Sequence, residues 1–224
     1  FIRITQDVAV DFNIPNTNAL NGLVIEGQSE FALTTNNLTI SATDVTLRNI
    51  DIEANIDVAG GARELTFNNV NLGANVNFIS NDVDFNPIAV TVDADSQISV
   101  NSLRTLSIHS SGNISVDSGV TLLLTNSGII EGALFSGLGT VNVDFTGTIK
   151  GSTFNSPVRL TDTVTFDNSS LNAAVNVETV SSINGGNYTS AVAIVGDSTI
   201  SGASFTGEVN LTDSSVLTLS ANTS

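Results

Sequence analysis

Two closely spaced pairs of aspartates are the residues best suited to chemistry in this sequence. Asp82 and Asp84 form one pair, and Asp93 and Asp95 form the other. Residues two apart in a strand share a face, so each pair would present two carboxylates together. Calcium prefers oxygen ligands such as carboxylates, which predicts a calcium site if successive turns of the chain stack these residues. Two carboxylates that flank one bond would also suit a glycoside hydrolase.

The sequence offers little else for catalysis. His109 is the single histidine, and the chain contains no cysteine. One histidine cannot form a histidine-rich metal site, and without cysteine there is no disulfide framework or thiolate site. Aspartate is also common where strands meet turns, which explains the two pairs without any reaction. We therefore expect no enzymatic activity, no catalytic residue and no cofactor other than calcium.

Apolar residues repeat at fixed offsets through most of the chain and would position any such site. They occur in apolar-x-apolar triplets, which are typical of short strands with one buried face. Residues 45–64 match residues 65–84 at an offset of 20. An offset of 16 then aligns three apolar positions, which are Val90, Leu106 and Leu122.

An offset of 17 governs the rest of the chain. One column runs from Val141 through Val158 to Val209. A second column comprises Ile149, Phe166, Ile183, Ile200 and Leu217. A repeat of this length is too short for a βαβ crossover, which needs about 30 residues. Each repeat is therefore predicted to be one turn of a coil, with equivalent residues stacked about 4.8 Å apart.

The predicted fold class is all-β, a single parallel β-solenoid (β-helix). It would have roughly eleven coils, a repeat architecture with roughly 16–20 residues per coil. Residues 1–224 form one domain. Within it, 1–22 would be an N-terminal cap or first coil, and 23–89 would be longer coils. The remainder, 90–224, would consist of shorter coils of roughly 16–19 residues each.

Two sets of asparagine and glycine residues recur at equivalent places in these repeats. Asn49 aligns with Asn69 in the earlier, longer repeats. The other set forms the structural ladder Gly132, Gly151, Asn168, Gly185 and Gly202. Glycine and asparagine accept positive φ at low cost, so this column is predicted to be one recurring left-handed corner.

The segment from Val45 to Ile52, repeated from Leu65 to Leu72, resembles the right-handed parallel β-helix of the pectate-lyase-like group. That resemblance implies a right-handed coil, with a stacked asparagine at the bend between two strands of each coil. Enzymes of that group would need acidic calcium ligands beside a basic residue. The outward positions Asp51, Asn71 and Thr91 form no acidic cluster, so the resemblance implies the architecture and not the activity.

The charge of the chain excludes several classes of partner. Six Lys and Arg residues stand against 22 Asp and Glu residues, which gives a formal charge of −16. Nucleic-acid binding needs clustered cations, and anionic membrane surfaces attract them, so neither partner is expected. No apolar run approaches the roughly 18 residues of a membrane-spanning helix, so membrane insertion is not expected either.

These observations predict an extracellular or cell-surface structural or adhesive solenoid. An open solenoid exposes unpaired strand edges at its ends, so head-to-tail self-association into fibres is expected. A surface glycan or a protein receptor is the other expected partner. The alternative is a carbohydrate-binding or polysaccharide-degrading β-helix protein. Rows of threonine would favour ice binding. One outward column instead consists of Asn142, Arg159, Asn176, Ala193 and Asn210, which is not a row of threonines, so ice binding is not expected from it.

Overall fold

The computed structural model describes most of the chain, namely residues 1–9, 11–17, 20–28, 32–34, 37–59, 62–78, 82–100, 105–108, 113–126, 128–179, 181–195, 198–212 and 217–220. Within these residues the chain forms thirty β-strands, numbered β1 to β30 in chain order, and no α-helix. The described part accordingly lacks any helix long and apolar enough to cross a membrane. Successive coils pair in parallel, so the chain is a parallel β-solenoid.

Each full coil has three sides, here named the first, second and third faces. The first face consists of β1 (Ile2–Arg3), β3 (Leu23–Glu26), the first halves of β6 (Asp44–Ile52), β8 (Glu64–Leu72) and β10 (Val83–Val92), then β12 (Thr105–Ile108), β15 (Ile129–Glu131), β18 (Gly147–Lys150), β21 (Val164–Asp167), β24 (Ser182–Asn184), β27 (Ser198–Ser201) and β30 (Leu217–Ser220).

The second face continues from the first around a bend. It consists of β4 (Ala32–Leu33), the second halves of β6, β8 and β10, then β13 (Ile114–Val116), β16 (Leu134–Gly137), β19 (Thr153–Phe154), β22 (Ser170–Leu171), β25 (Asn187–Tyr188) and β28 (Ser204–Phe205). Because β6, β8 and β10 run across the bend, the first two faces belong to one 19-stranded sheet.

The third face is a separate sheet of eleven strands. It consists of β2 (Phe12–Ile14), β5 (Asn37–Ile40), β7 (Asn55–Val58), β9 (Val76–Phe78), β11 (Ser96–Val100), β14 (Thr121–Asn126), β17 (Thr140–Asp144), β20 (Val158–Leu160), β23 (Val175–Val177), β26 (Val192–Ile194) and β29 (Val209–Leu211). Among the described strands, β2 and β29 are its edges.

The core is one continuous column inside the coil. Strand residues alternate between buried and outward positions, as in β6 and β9. The buried apolar side chains form a single cluster that runs from Ile4 to Ile200. Burial of one such side chain contributes about 1.5–3 kcal/mol, so every coil depends on the coils above and below it to cover its inward residues.

The predicted offsets of 20 and 17 are confirmed by the strand pairing. In the earlier coils Val45 pairs with Leu65, and Ile52 pairs with Leu72. In the later coils Val141 pairs with Val158, and the column continues from strand to strand as far as Val209.

The predicted offset of 16 is wrong. Val90 lies on the second face, Leu106 on the first and Leu122 on the third. In this stretch Leu106 pairs with Ile130 and not with Leu122. An offset of 16 therefore aligns different faces of one longer coil, because every face carries the same apolar-x-apolar pattern.

Two further predictions need correction because the length of a coil varies along the chain. Ile200 pairs with Leu219, and Leu217 pairs with Ser198, because the last coil is longer than the coils before it. The solenoid makes about nine turns, fewer than the predicted eleven. Nine of the eleven third-face strands have a paired neighbour on both sides, since β2 and β29 are edges. The long coils around β10, β12 and β15 use more chain per turn than the prediction allowed.

Candidate functional site

The structure does not bring the two predicted aspartate pairs together. Asp82 and Asp84 lie at the start of β10, and Asp93 and Asp95 follow its end. Asp84 instead pairs in register with Glu64 and Ser107. No group of three or more His, Cys, Asp or Glu side chains within the described ranges is arranged to hold a metal ion. A calcium site at these residues stays a prediction.

Two of these aspartates tie one coil to the next. The Oδ1 atom of Asp82 accepts a hydrogen bond from the backbone N–H of Thr105 at 2.8 Å. Asp95 does the same for Thr121, also at 2.8 Å. Each carboxylate therefore accepts a hydrogen bond from a backbone donor at the start of a strand in the following coil.

The same device recurs near the N-terminus. Asp7 accepts a hydrogen bond from the N–H of Ala32, and Asp11 accepts one from the N–H of Asn37, both at 3.0 Å. Some of the acidic residues thus bind one coil to the next through hydrogen bonds. This role needs neither a metal nor a substrate.

The bend between the first and second faces carries the predicted asparagines. Asn49 and Asn69 have φ values of 51° and 56°. The Nδ2 atom of Asn69 donates a hydrogen bond to Oδ1 of Asn49 at 3.0 Å. Because asparagine tolerates this left-handed conformation, β6 and β8 can turn a corner without ending.

The second predicted ladder forms the equivalent corner in the later coils. Gly132, Gly151, Asn168, Gly185 and Gly202 have φ values of 75°, 56°, 49°, 71° and 64°. The backbone N–H groups of the first four donate to carbonyls of the next coil, and that of Gly151, for example, donates to the carbonyl of Asp167 at 2.9 Å. The column is thus a recurring corner between two faces, and these four amides are occupied by the neighbouring coils.

A serine, a carboxylate and an amine stack on the first face beside this corner. The Oγ atom of Ser107 donates to Oε1 of Glu131 at 3.0 Å, and Nζ of Lys150 lies 3.9 Å from Oε2 of the same glutamate. A nucleophilic serine would also need amide donors for an oxyanion. The nearby N–H groups of Gly132 and Gly151 already donate to the carbonyls of Lys150 and Asp167. These two amides are therefore not free to bind an oxyanion beside Ser107.

The third face carries one bidentate ion pair. Nε of Arg159 lies 2.6 Å from Oε1 of Glu178, and Nη2 lies 2.8 Å from Oε2. The hydrogen bonds that Arg159 donates to Glu178 lower the pKa of the Glu178 carboxyl and raise the pKa of the Arg159 guanidinium. The Arg159 side chain is 51% exposed and the Glu178 side chain 30% exposed, so solvent screens the pair and it contributes little to stability.

Two arginines and a glutamate cluster at the N-terminal end of the first face. Glu26 lies 3.6 Å from Arg3 and 2.9 Å from Arg48, between the two guanidinium groups. The ring of Phe1 faces both arginines, at 5.6 and 5.7 Å from their guanidinium carbons. Since one glutamate balances two arginines, this corner is locally cationic in an otherwise acidic chain.

The second face of the last coils carries a neutral grid of hydroxyl and amide side chains, here named the hydroxyl–amide array. Its first column is Thr153, Ser170, Asn187 and Ser204, and its second column is Asn155, Asn172, Thr189 and Thr206. The first column is set by strand pairing between β19, β22, β25 and β28. The second column is fixed by backbone hydrogen bonds such as that from the N–H of Asn172 to the carbonyl of Phe154, at 2.7 Å.

Side-chain bonds and a packed floor hold the array in place. Nδ2 of Asn172 donates to Oδ1 of Asn155 at 3.0 Å, and Oγ1 of Thr189 donates to Oδ1 of Asn172 at 3.4 Å. Between the two columns, the inward residues Phe154, Leu171, Tyr188 and Phe205 form the floor. The rings of Tyr188 and Phe205 stack with centroids 4.7 Å apart.

A shallow trough of about 340 Å³ runs over this face. Seven of the eight array residues line it, together with Tyr188. Tyr188 is 1% exposed, and its hydroxyl has no hydrogen-bond partner among the described residues. The sequence analysis does not predict the array, because among the outward columns of the later coils it includes only the third-face column that contains Arg159. The signal lay in the triplets T-F-N, S-L-N, N-Y-T and S-F-T, which recur at the offset shared by all the later coils.

His109 lies outside the described residues. Comparison of the chain with protein-family models, curated proteins and solved structures finds no match.

Proposed function

We propose that the chain is a non-enzymatic structural or adhesive element at the cell surface or outside the cell. In this proposal it is a rod that stacks end to end with further copies. Its coil is right-handed, as the resemblance to the pectate-lyase-like group implies. The observation that carries the proposal is the exposure of inward-register apolar residues at the two ends of the stack.

These end residues belong to columns that are otherwise buried. Ile2 is 44% exposed, whereas its paired residue Ile25 is fully buried. At the other end Leu211 is 48% exposed and pairs with the buried Ile194. Exposed apolar side chains beside an unpaired strand edge favour the addition of another coil. Among the described strands β1 and β29 have no partner on their outer sides, and a second copy would supply such a partner together with cover for Ile2 and Leu211.

The polar side chains of the coils also support a passive role. The aspartates Asp7, Asp82 and Asp95 are used to bind the next coil, and Asn69 binds Asn49. Catalytic groups, in contrast, converge in a cleft with strongly perturbed pKa values. A rod with this bonding resists pulling along its length because each rung is tied to its neighbours.

Sedimentation and negative-stain electron microscopy over a concentration series would test the proposal. We expect rods that lengthen with concentration by whole multiples of one chain. Leu211→Asp should keep the chain monomeric, because a charge would be buried at the junction. Leu138→Asp is the matched control, since Leu138 is 80% exposed away from the ends, and it should assemble like the native chain.

A native chain that remains monomeric at every concentration would overturn end-to-end stacking. Equal loss of assembly in both variants would overturn the role given to Leu211. The same series with and without calcium tests the predicted calcium site, because filaments that form only with calcium would give the aspartates a role in assembly.

A further inference from the structure

We propose that the hydroxyl–amide array binds ice, with the trough between its columns holding an ordered layer of water. This inference goes beyond the proposed structural function and does not depend on end-to-end stacking. It rests on the spacing, the rigidity and the neutrality of the array.

The spacing of the array is close to that of hydrogen-bonded water. Along each column the side chains repeat at the strand spacing of about 4.8 Å. In tetrahedral water with hydrogen bonds of about 2.7–2.8 Å, next-nearest oxygens lie about 4.5 Å apart. Across the columns, residues two apart in a strand are separated by about 6.6–6.8 Å. The array thus presents donors and acceptors on a two-dimensional grid, as a crystal face does.

The trough is large enough for a layer of water. Its volume of about 340 Å³ corresponds to on the order of ten molecules at about 30 Å³ each. The array residues around it combine hydroxyl groups, which both donate and accept, with amide groups that have two donors and one acceptor oxygen.

The array is rigid before any ligand arrives. The bonds from Asn172 to Asn155 and from Thr189 to Asn172 fix side chains that would otherwise rotate. The aromatic floor prevents the strands from moving apart, with Phe135 stacked on Phe154 at 4.8 Å and Tyr188 on Phe205 at 4.7 Å. Binding to a solid lattice therefore costs little side-chain ordering.

The array is also neutral on a strongly acidic chain. The third face of the same coils carries Arg159 and Glu178, and the first face carries Lys150 and Asp167. Charged groups hold their own hydration shells and would disturb an ordered water layer. The eight array residues contain no charge and no outward aromatic ring. Sugar-binding sites commonly stack sugars on aromatic rings, so their absence from the array favours water over a glycan as the ligand.

The test measures thermal hysteresis and inhibition of ice recrystallisation with the purified chain. The native chain should depress the freezing point below the melting point and keep ice crystals small. Thr189→Lys should lose most of this activity, because it places a long charged side chain in the array. Thr165→Lys, the same change in an outward position of the first face, should keep it. Circular dichroism and the melting temperature show whether both variants fold.

An inactive native chain would overturn the inference, as would equal activity in the Thr189 and Thr165 variants. Binding to insoluble neutral polysaccharide without any effect on ice would also overturn it and would make a glycan the ligand. Leu211→Asp separates this inference from the proposed stacking. That variant should be monomeric and should still act on ice, so either claim can fail without the other.

Discussion

Tyr188, the single tyrosine of the chain, places a polar hydroxyl group in the tightly packed interior. Its ring stacks on Phe205, and its hydroxyl is buried without a partner among the described residues. An unsatisfied buried hydroxyl costs about 1–3 kcal/mol. Tyr188→Phe should therefore raise the free energy of unfolding by about 1 kcal/mol near neutral pH. Urea denaturation of the two proteins measures this, and a destabilised variant would mean that the hydroxyl has a partner.

The same residue predicts how stability responds to alkali. Burial raises the pKa of the Tyr188 hydroxyl. The folded chain therefore keeps this proton at a pH where the unfolded chain has released it. Stability should fall as the pH rises through about 10, the ordinary pKa of tyrosine. Tyr188→Phe should lack this part of the decline, and parallel pH profiles for both proteins would contradict the assignment.

The corner glycines differ from the core residues because their requirement is conformational. An added Cβ at Gly151 would meet no other atom within 4 Å, but the residue has a φ of 56°. Gly151→Ala should cost about 1–2 kcal/mol, the penalty of the left-handed conformation. Gly151→Asn should cost less, because Asn168 adopts the same conformation in the next coil. Chemical denaturation compares the two, and an asparagine variant as unstable as the alanine variant would contradict this explanation.

At the scale of the strand, the alternation of inward and outward residues decides what a substitution does. Ile183 in β24 is 1% exposed and pairs with Phe166 and Ile200. Ile183→Asp would bury a charge in this column and should cost several kcal/mol. Ser182→Asp, one residue earlier on the outward side, should cost far less. The melting temperatures of the two variants test the register, which would be wrong if both fell equally.

Strand periodicity explains both the success and the failure of the sequence prediction. Apolar residues at every second position predict a strand, and Val45 with Leu65 shows that equal repeats also give the register. The pattern does not say which face a strand belongs to, because all three faces bury the same residue types. Val90, Leu106 and Leu122 share one sequence offset for that reason, although they lie on three different faces.

Outward residues were harder to predict than inward ones. Inward positions are restricted to apolar side chains, so Phe154, Leu171 and Tyr188 form a visible column. Outward positions accept many polar types, and Thr153 aligned with Ser170 looks unremarkable in one dimension. Only the pairing of the strands places the two columns of the array side by side. The two aspartate pairs lie at opposite ends of β10, a separation that their closeness in sequence does not indicate.

At the scale of the whole molecule, the chain behaves as a one-dimensional stack. Coils contact only their neighbours, so stability is expected to grow with the number of paired coils rather than with a central core. The charge of −16 is spread along this stack and favours solubility of the rod. The apolar residues Ile2 and Leu211 at its ends oppose that tendency and direct association along the axis.

The length of the stack is the central claim, and a distance between two spin labels tests it most directly. The chain has no cysteine, so Thr39→Cys and Thr212→Cys would take the only labels. Thr39 lies in β5 and Thr212 directly follows β29, nine steps away on the third face. Nine rungs of about 4.8 Å predict a narrow distance distribution centred near about 43 Å. A peak at about half that distance, or a distribution with no peak, would contradict the continuous parallel solenoid.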